Sequence, residues 1–361
     1  MGAYTRPFRE LRLTDRPEVG GKCAGLGELL SAGIDVPDGF AVTVAAFEEF
    51  LDANRLRDRL RDIVGGLDHT SPAALRSAHE RATELVLSSP LPAEAEKQIR
   101  AGYTWLSEGR EDLPVAVRSS AVAEDGDTDS FAGQQETYLW VVGADGVVDH
   151  VRSCWASLYT PQAIAYRAGL PGERADDATR MSVAVQAMVD AAVAGVAFTV
   201  SPRTGDRSVV AVNAGWGLGH AVVSGEVTPD EFWISKIGPR LTERTVAAKT
   251  VQCVVHPSGR GVTTVAVPED LQRIPCLDDA DVLALAELAI RVEEHYGCPQ
   301  DIEWALTRDG GGRPRFLILQ SRPETTWKQH RARARTARSG VGGGYLDLVQ
   351  AAGRRRTEDP A

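Results

Sequence analysis

The sequence predicts a mixed α/β fold, of α+β character, and three observations lead there. Short apolar runs bounded by turn residues alternate with segments whose apolar residues recur at helical spacing. With 35 glycines and 19 prolines, the chain suits a loop-rich α/β protein better than a helical bundle. A hydrophobic fraction of 43% over 361 residues is enough to build two lobes around a sizeable core.

The elements follow in chain order. A glycine-rich turn, Gly20-Gly21-Lys22, precedes Leu26, Leu29 and Leu30 at helical spacing. Val36-Pro37-Asp38-Gly39-Phe40 is a turn that feeds a strand over 40–44. Phe47, Phe50 and Leu51 mark a helix, and residues 72–88 another. Val115 to Val117 form a short apolar strand running into Arg118-Ser119-Ser120. Val151, Cys154, Trp155 and Leu158 repeat at i, i+3, i+4 and i+7, an amphipathic helix. The character then changes. Residues 183–189, 193–200 and 209–213 read as strands, the last entering the glycine-rich Gly215-Trp216-Gly217-Leu218-Gly219. Residues 281–295 read as a helix, with Asp278 or Asp279 as N-cap and Gly297 as stop. Residues 301–306 and 316–320 flank Asp309-Gly310-Gly311-Gly312 and read as a hairpin. These signals divide the chain into 1–182, 183–327 and an arginine-rich tail over 328–361.

Composition excludes several function classes. A net charge of −10 argues against general nucleic-acid binding, which needs a basic face, but leaves room for a local cation cluster around a phosphate. The five cysteines form no CxxC pair, which fits a reducing cytoplasm and no zinc site. The charged first residues predict no signal peptide, and no apolar run is long enough to span a bilayer, so no membrane role is expected.

The terminal hairpin carries the clearest chemistry. Alternate strand residues share a face, so Asp301, Glu303 and Ala305 point one way, and Phe316, Ile318, Gln320 and Arg322 share another face. Folding about the glycines brings Glu303 beside Gln320. A carboxylate and an amide oxygen there can hold Mg²⁺ against a polyphosphate, with Arg322 reaching a phosphoryl oxygen. The alternative is a solvated polar face of an edge hairpin. Arg118 followed by two serine hydroxyls at an expected strand end suits an anion, or else a surface turn paired to Glu124 or Asp125. Ser130-Phe131-Ala132-Gly133-Gln134 is a small-residue loop that can lie over a phosphate chain, or an ordinary turn. Lys22 does not belong to a P-loop, because Cys23 stands where Ser or Thr is needed. It remains a candidate phosphate ligand beside the plainer reading of a solvated lysine. Gln186 and Met188 share a strand face that can wall an adenine pocket, although core packing also explains Met188. No histidine stands in a Ser-His-Asp or HExxH arrangement.

Together these segments resemble the ATP-binding domain of the phosphoenolpyruvate synthase and pyruvate phosphate dikinase family, which includes rifampin phosphotransferase and phenylphosphate synthase. The resemblance is carried by residues 20–28, 36–40, 115–125, 130–137, 186–189, 216–219, 301–304 and 319–323, in the family's order. It implies an ATP-grasp fold, with two lobes clasping ATP. It also implies roles. Lys22 and Arg118 hold phosphates, Gly133 and Thr137 belong to a lid over the phosphate chain, and Gln186 and Met188 border the adenine. Glu303 and Gln320 bind Mg²⁺, and Arg322 stabilises the transferring group. His220 departs from the pattern, standing where relatives often carry an acidic residue.

Family members pass the β-phosphate of ATP, first as a pyrophosphoryl group, to a histidine on a swivelling domain, and a third domain holds the acceptor. The sequence has no Thr-x-His-Ala segment. The expectation is therefore an ATP-cleaving subunit of a split dikinase that forms AMP and phosphate while loading a histidine on a partner protein. A self-sufficient ATP-grasp kinase or ligase, and a nucleotide-binding regulator without turnover, are the alternatives.

Overall fold

The computed structural model describes residues 2–110, 112–122, 136–169, 179–308 and 313–324. The loop around Gly133, the glycine turn at 309–312 and the tail expected over 328–361 lie outside these residues.

The first part of the chain runs β1 (Thr5–Pro7), α1 (Arg16–Ser31), β2 (Gly39–Val42), α2 (Val44–Ala53), α3 (Leu56–Val64), α4 (Pro72–Ser88), α5 (Ala93–Leu106), β3 (Pro114–Ala121), β4 (Thr137–Val142), α6 (Ala144–Ala156), α7 (Pro161–Ala168) and β5 (Met181–Ala187). Its strands form one sheet in the order β1-β2-β5-β3-β4. The second part runs β6 (Val193–Phe198), β7 (Val209–Trp216), α8 (His220–Val223), β8 (Asp230–Ser235), β9 (Arg240–Thr245), β10 (Val251–Val255), β11 (Val262–Ala266), α9 (Glu269–Gln272), α10 (Asp279–Tyr296), β12 (Gln300–Arg308) and β13 (Pro314–Pro323). Six of these strands form a sheet in the order β13-β12-β6-β7-β8-β9, and β10 pairs with β11 apart from it. Every ladder among the described strands is antiparallel, which makes the fold α+β.

Local sequence explains several elements. Proline opens α4 and α7 at the first turn, where its missing N–H costs nothing, and Ser71 and Thr160 cap those helices through their side chains. Asp278 caps α10 by accepting from the Asp281 amide at 2.7 Å. Gly297 ends α10 in the left-handed conformation at φ 67°. Among the described residues no helix is long and apolar enough to cross a membrane.

Two cores hold the molecule. Helices α2 to α7 cover one face of the first sheet, where Phe47 and Phe50 pack against the buried Trp155 at ring-centroid distances of 5.4 and 5.0 Å. Helix α1 lies on the opposite face and shares a second core with α10 and the inner face of the six-stranded sheet. β5 is therefore buried on both sides, which is why Val183, Ala184 and Val185 follow one another without a polar residue between them. It hydrogen-bonds to β2 and β3, so the division expected at residue 182 falls inside a strand that belongs wholly to the first sheet. A third, smaller cluster joins Ala194, Leu218, Cys253 and Ala305, with Met188 and Leu319 packed against it. It lies on the face of the second sheet opposite α10.

Candidate functional site

The site begins with a break in α1. Gly20 sits at φ 70° and ψ 171° within the helix. A Cβ there would lie 2.1 Å from the Ser120 carbonyl oxygen, so only glycine permits this approach. The Ser120 hydroxyl bridges the break, donating to the Val19 carbonyl at 3.0 Å and accepting from the Cys23 amide at 3.3 Å. The rest of α1 is thereby pressed onto β3, and Lys22 Nζ donates to the Ser119 carbonyl at 3.0 Å. The Ser119 hydroxyl donates to the Glu136 carbonyl at 3.3 Å. Both hydroxyls are turned into the protein, which corrects the expectation that they face an anion. Their work is to satisfy backbone groups that the helix break and strand β4 leave open.

Arg118 is also placed differently from the sequence expectation. It sits inside β3, opposite Thr137 on β4 and Ala184 on β5, and not at the strand's end. Its Nη1 lies 3.4 Å from Glu303 Oε2, which ties the first sheet to the second. Its Nε is buried and has no hydrogen-bond partner among the described residues. A guanidinium with unsatisfied donor capacity at a cavity wall is suited to an anion.

On the terminal hairpin, Glu303 stands directly opposite Gln320, and Asp301 directly opposite Arg322. A β-bulge follows at once. Trp304 is paired with Ile318, so Leu319 is the extra residue. The bulge shifts the phase of β13. Phe316 and Ile318 belong to the α10 side, Phe316 meeting Trp304 edge-on at 5.9 Å, whereas Leu319 and Gln320 both reach the opposite side. The expected common face for Phe316, Ile318, Gln320 and Arg322 is thus split. Arg322 donates through Nε and Nη2 to one oxygen of Asp301, at 2.8 and 2.7 Å. Burial pushes the Asp301 carboxyl above the ordinary carboxylate range, against the opposing pull of the Arg322 cation.

Beside these groups lies a cavity of about 460 Å³, within the range of small-molecule ligand sites. Lys22, Arg118, Thr137, Glu303, Gln320 and Arg322 line it, and so do Gln186 and Met188. The apolar part of the lining adds Leu139, Ala191, Leu218 and Leu319. Gln186 is nearly buried and donates through Nε2 to the Pro37 carbonyl at 3.4 Å. Gly133, expected in the same site, lies outside the described residues. Sequence reasoning passed over Asp301 as a site residue, although it lies on the face of Glu303. It also passed over Leu139, and noted His220 only as a departure from the family pattern; both line the cavity.

The donor set bears on a metal. Among the described residues no group of three or more His, Cys, Asp and Glu side chains is arranged to hold an ion. Glu303 and Gln320 offer one carboxylate and one amide across a single ladder rung. That is too little for an all-protein cage and enough for Mg²⁺ that takes its other ligands from phosphate and water.

The sequence profile of the pyruvate phosphate dikinase AMP/ATP-binding domain matches residues 16–340. The chain belongs to that family. Within this AMP/ATP-binding domain family the chain is similar to longer relatives. It is 40% identical over 366 residues to phosphoenolpyruvate synthase of Pyrococcus furiosus, covering 90% of this chain and 44% of the relative. It is 42% identical over 330 residues to a probable phosphoenolpyruvate synthase of Methanothermobacter thermautotrophicus, covering 90% and 46%. It is 38% identical over 339 residues to phosphoenolpyruvate synthase of Pseudomonas aeruginosa, covering 90% and 42%. The chain thus spans less than half the length of these curated relatives.

Proposed function

We propose that this chain is the ATP-cleaving component of a dikinase-type phosphotransferase, with its two sheets forming the lobes of an ATP-grasp fold. One observation carries the reading. Three cations, Lys22, Arg118 and Arg322, line the same cavity as the Glu303–Gln320 rung, with an apolar wall beside them. In this reading the apolar wall, with Gln186 and Met188, takes the adenine. Lys22 and Arg118 bind the phosphate chain, and Thr137 lies at its edge together with the Gly133 loop. Glu303 and Gln320 would hold Mg²⁺, which would supply neutralisation of phosphate charge. Arg322, held by Asp301, sits against the group being transferred. Phosphoryl transfer needs positioning and charge neutralisation more than covalent help, so this set is sufficient.

The phosphoryl acceptor in this reading is a histidine on a swivelling domain of a partner protein, which also holds the small-molecule acceptor. A ring nitrogen of that histidine attacks the β-phosphorus. The bond from this phosphorus to the oxygen bridging to the α-phosphate breaks, and AMP leaves. Water then removes the terminal phosphate, leaving phosphohistidine and inorganic phosphate. Such chemistry belongs to the cytoplasm, where ATP is available.

The test is nucleotide product analysis with Mg²⁺-ATP, with and without a protein carrying the histidine domain. AMP formed only with the partner is the expected result. ADP, or any product formed by the chain alone, would replace this reading with a self-sufficient kinase or ligase.

A further inference from the structure

His220 has no place in the phosphate machinery, yet it lines the same cavity. It opens α8, a single turn, and Val223 three residues on lines the cavity too. Residues three apart share a helix face, so this face of the turn is the one presented to the cavity. The opposite side is anchored, with Ala221 buried in the small apolar cluster and Val222 packed against it. His220 is itself half-exposed, and its Nε2 lies 3.9 Å from Glu226 Oε1. Glu226 in turn accepts from the Thr264 hydroxyl of β11 at 3.2 Å. The imidazole thus stands at the cavity wall beside a carboxylate that is itself held.

The ladder says where along the cavity it stands. On β12, Glu303 is opposite Val196 of β6, and Ala305 is opposite Ala194. Gly219, just before α8, packs over Ala194, where an added Cβ would touch the Ala194 methyl at 3.4 Å. Two residues of strand separate Glu303 from Ala305, about 6.6 Å. His220 is therefore placed where the apolar wall gives way to the Glu303–Gln320 rung. In a nucleotide whose base takes the first and whose phosphates take the second, the group between them is the pentose.

We propose that His220 recognises the ribose diol of the nucleotide, making it a determinant of ribonucleotide over deoxyribonucleotide. This rests on the Mg²⁺-ATP reading above. The imidazole hydrogen-bonds one of the vicinal hydroxyls, with the Glu226 carboxylate beside the ring. A hydrogen bond of this kind discriminates, modestly at a half-exposed ring, because the analogue lacking the hydroxyl leaves the side chain without its partner.

The test is calorimetric titration of the chain, in Mg²⁺, with ATP, 2′-deoxy-ATP and 3′-deoxy-ATP. The unaltered chain is expected to bind one deoxy analogue about 3- to 10-fold more weakly than ATP. In His220→Ala the Kd for ATP should rise by that factor while the Kd for that analogue stays, so the ratio collapses to one. His220→Gln, which retains a donor and an acceptor, should restore part of the ratio. Two results overturn the inference: equal weakening of all three ligands, which marks a phosphate contact, or a ratio unchanged in His220→Ala. Absence of ATP binding by the unaltered chain would instead overturn the nucleotide reading itself, and this inference with it.

Discussion

At the scale of single residues, Arg322 is aimed before any ligand arrives. Two hydrogen bonds to one Asp301 oxygen fix its guanidinium at the cavity wall. Arg322→Ala should lower turnover about 10²- to 10³-fold while ATP binding is largely kept, because the charge it meets develops only in the transition state. Comparing kcat with the Kd for Mg²⁺-ATP checks this, and full activity in the variant would remove Arg322 from the reaction. Asp301 gives the site a pH dependence. Its carboxyl is raised by burial, so the folded state holds the proton more tightly than the unfolded chain does. The stability from that proton is fully present below the ordinary carboxylate pKa and is lost as pH rises through the raised value. The ion pair with Arg322 exists only above that value. Activity should therefore fall on the acid side at a pH above the usual aspartate range, and Asp301→Asn should remove that limb from the kcat profile. An acid limb unchanged in Asp301→Asn would assign it to another group. Glu303→Ala should raise the Mg²⁺ concentration needed for half-maximal ATP binding, as a magnesium titration would read; an unchanged requirement would free Glu303 of the metal.

At the scale of elements, the sequence is readable where one local rule decides the outcome. Helix α4 matches its expected span because a capping serine and a first-turn proline mark its start. The terminal hairpin and its Glu303–Gln320 rung are legible from period-two alternation alone. The bulge at Leu319 is not, because Phe316, Leu317, Ile318 and Leu319 are all apolar, so one extra residue among them leaves no mark on the pattern. Arg118 looks like the end of a strand because three polar residues follow an apolar run, yet backbone pairing continues to Ala121. Strand β9 carries Arg240, Thr242, Glu243 and Arg244, is exposed along most of its length, and offers no apolar run to mark it. Its pairing comes from β8, and β8 is fixed by Asp230, which is fully buried against Lys249 at 2.6 Å and also accepts from the amides of Ala247 and Cys276. No local pattern announces such a contact. The break in α1 gives the sharpest element-scale prediction. Gly20→Ala should cost about 1–3 kcal/mol from overpacking against Ser120, and should displace Lys22. Gly33 has the same φ of +70° with nothing within 4 Å of an added Cβ, so Gly33→Ala should cost only the backbone strain. Urea unfolding of both variants separates the two effects, and equal destabilisation would deny the clash.

At the scale of the whole molecule, the two sheets meet through different bonds on the two sides of α1. The second core joins them by apolar packing, with Phe8 and Leu29 among its fully buried members. Across the cavity, among the described residues, Arg118 of the first sheet meets Glu303 of the second at 3.4 Å, both side chains partly open to solvent. An ion pair of that kind contributes little by itself. Membership of β5 in the first sheet was illegible for the same reason that this contact was: the sequence shows which segments are strands, and long-range pairing decides which sheet they join. A polyphosphate bound between Arg118 and the Glu303–Gln320 rung would replace that weak contact with several charge-assisted ones reaching both sheets. The folded state binds the nucleotide and the unfolded chain does not, so stability should rise by about 2.7 kcal/mol at a free Mg²⁺-ATP concentration of 100 times Kd. Hydrogen exchange should slow in β3 and in β12 together, since one ligand spans both. Protection confined to one sheet would mean that the nucleotide sits on one wall of the cavity, and the clasping arrangement would have to be given up.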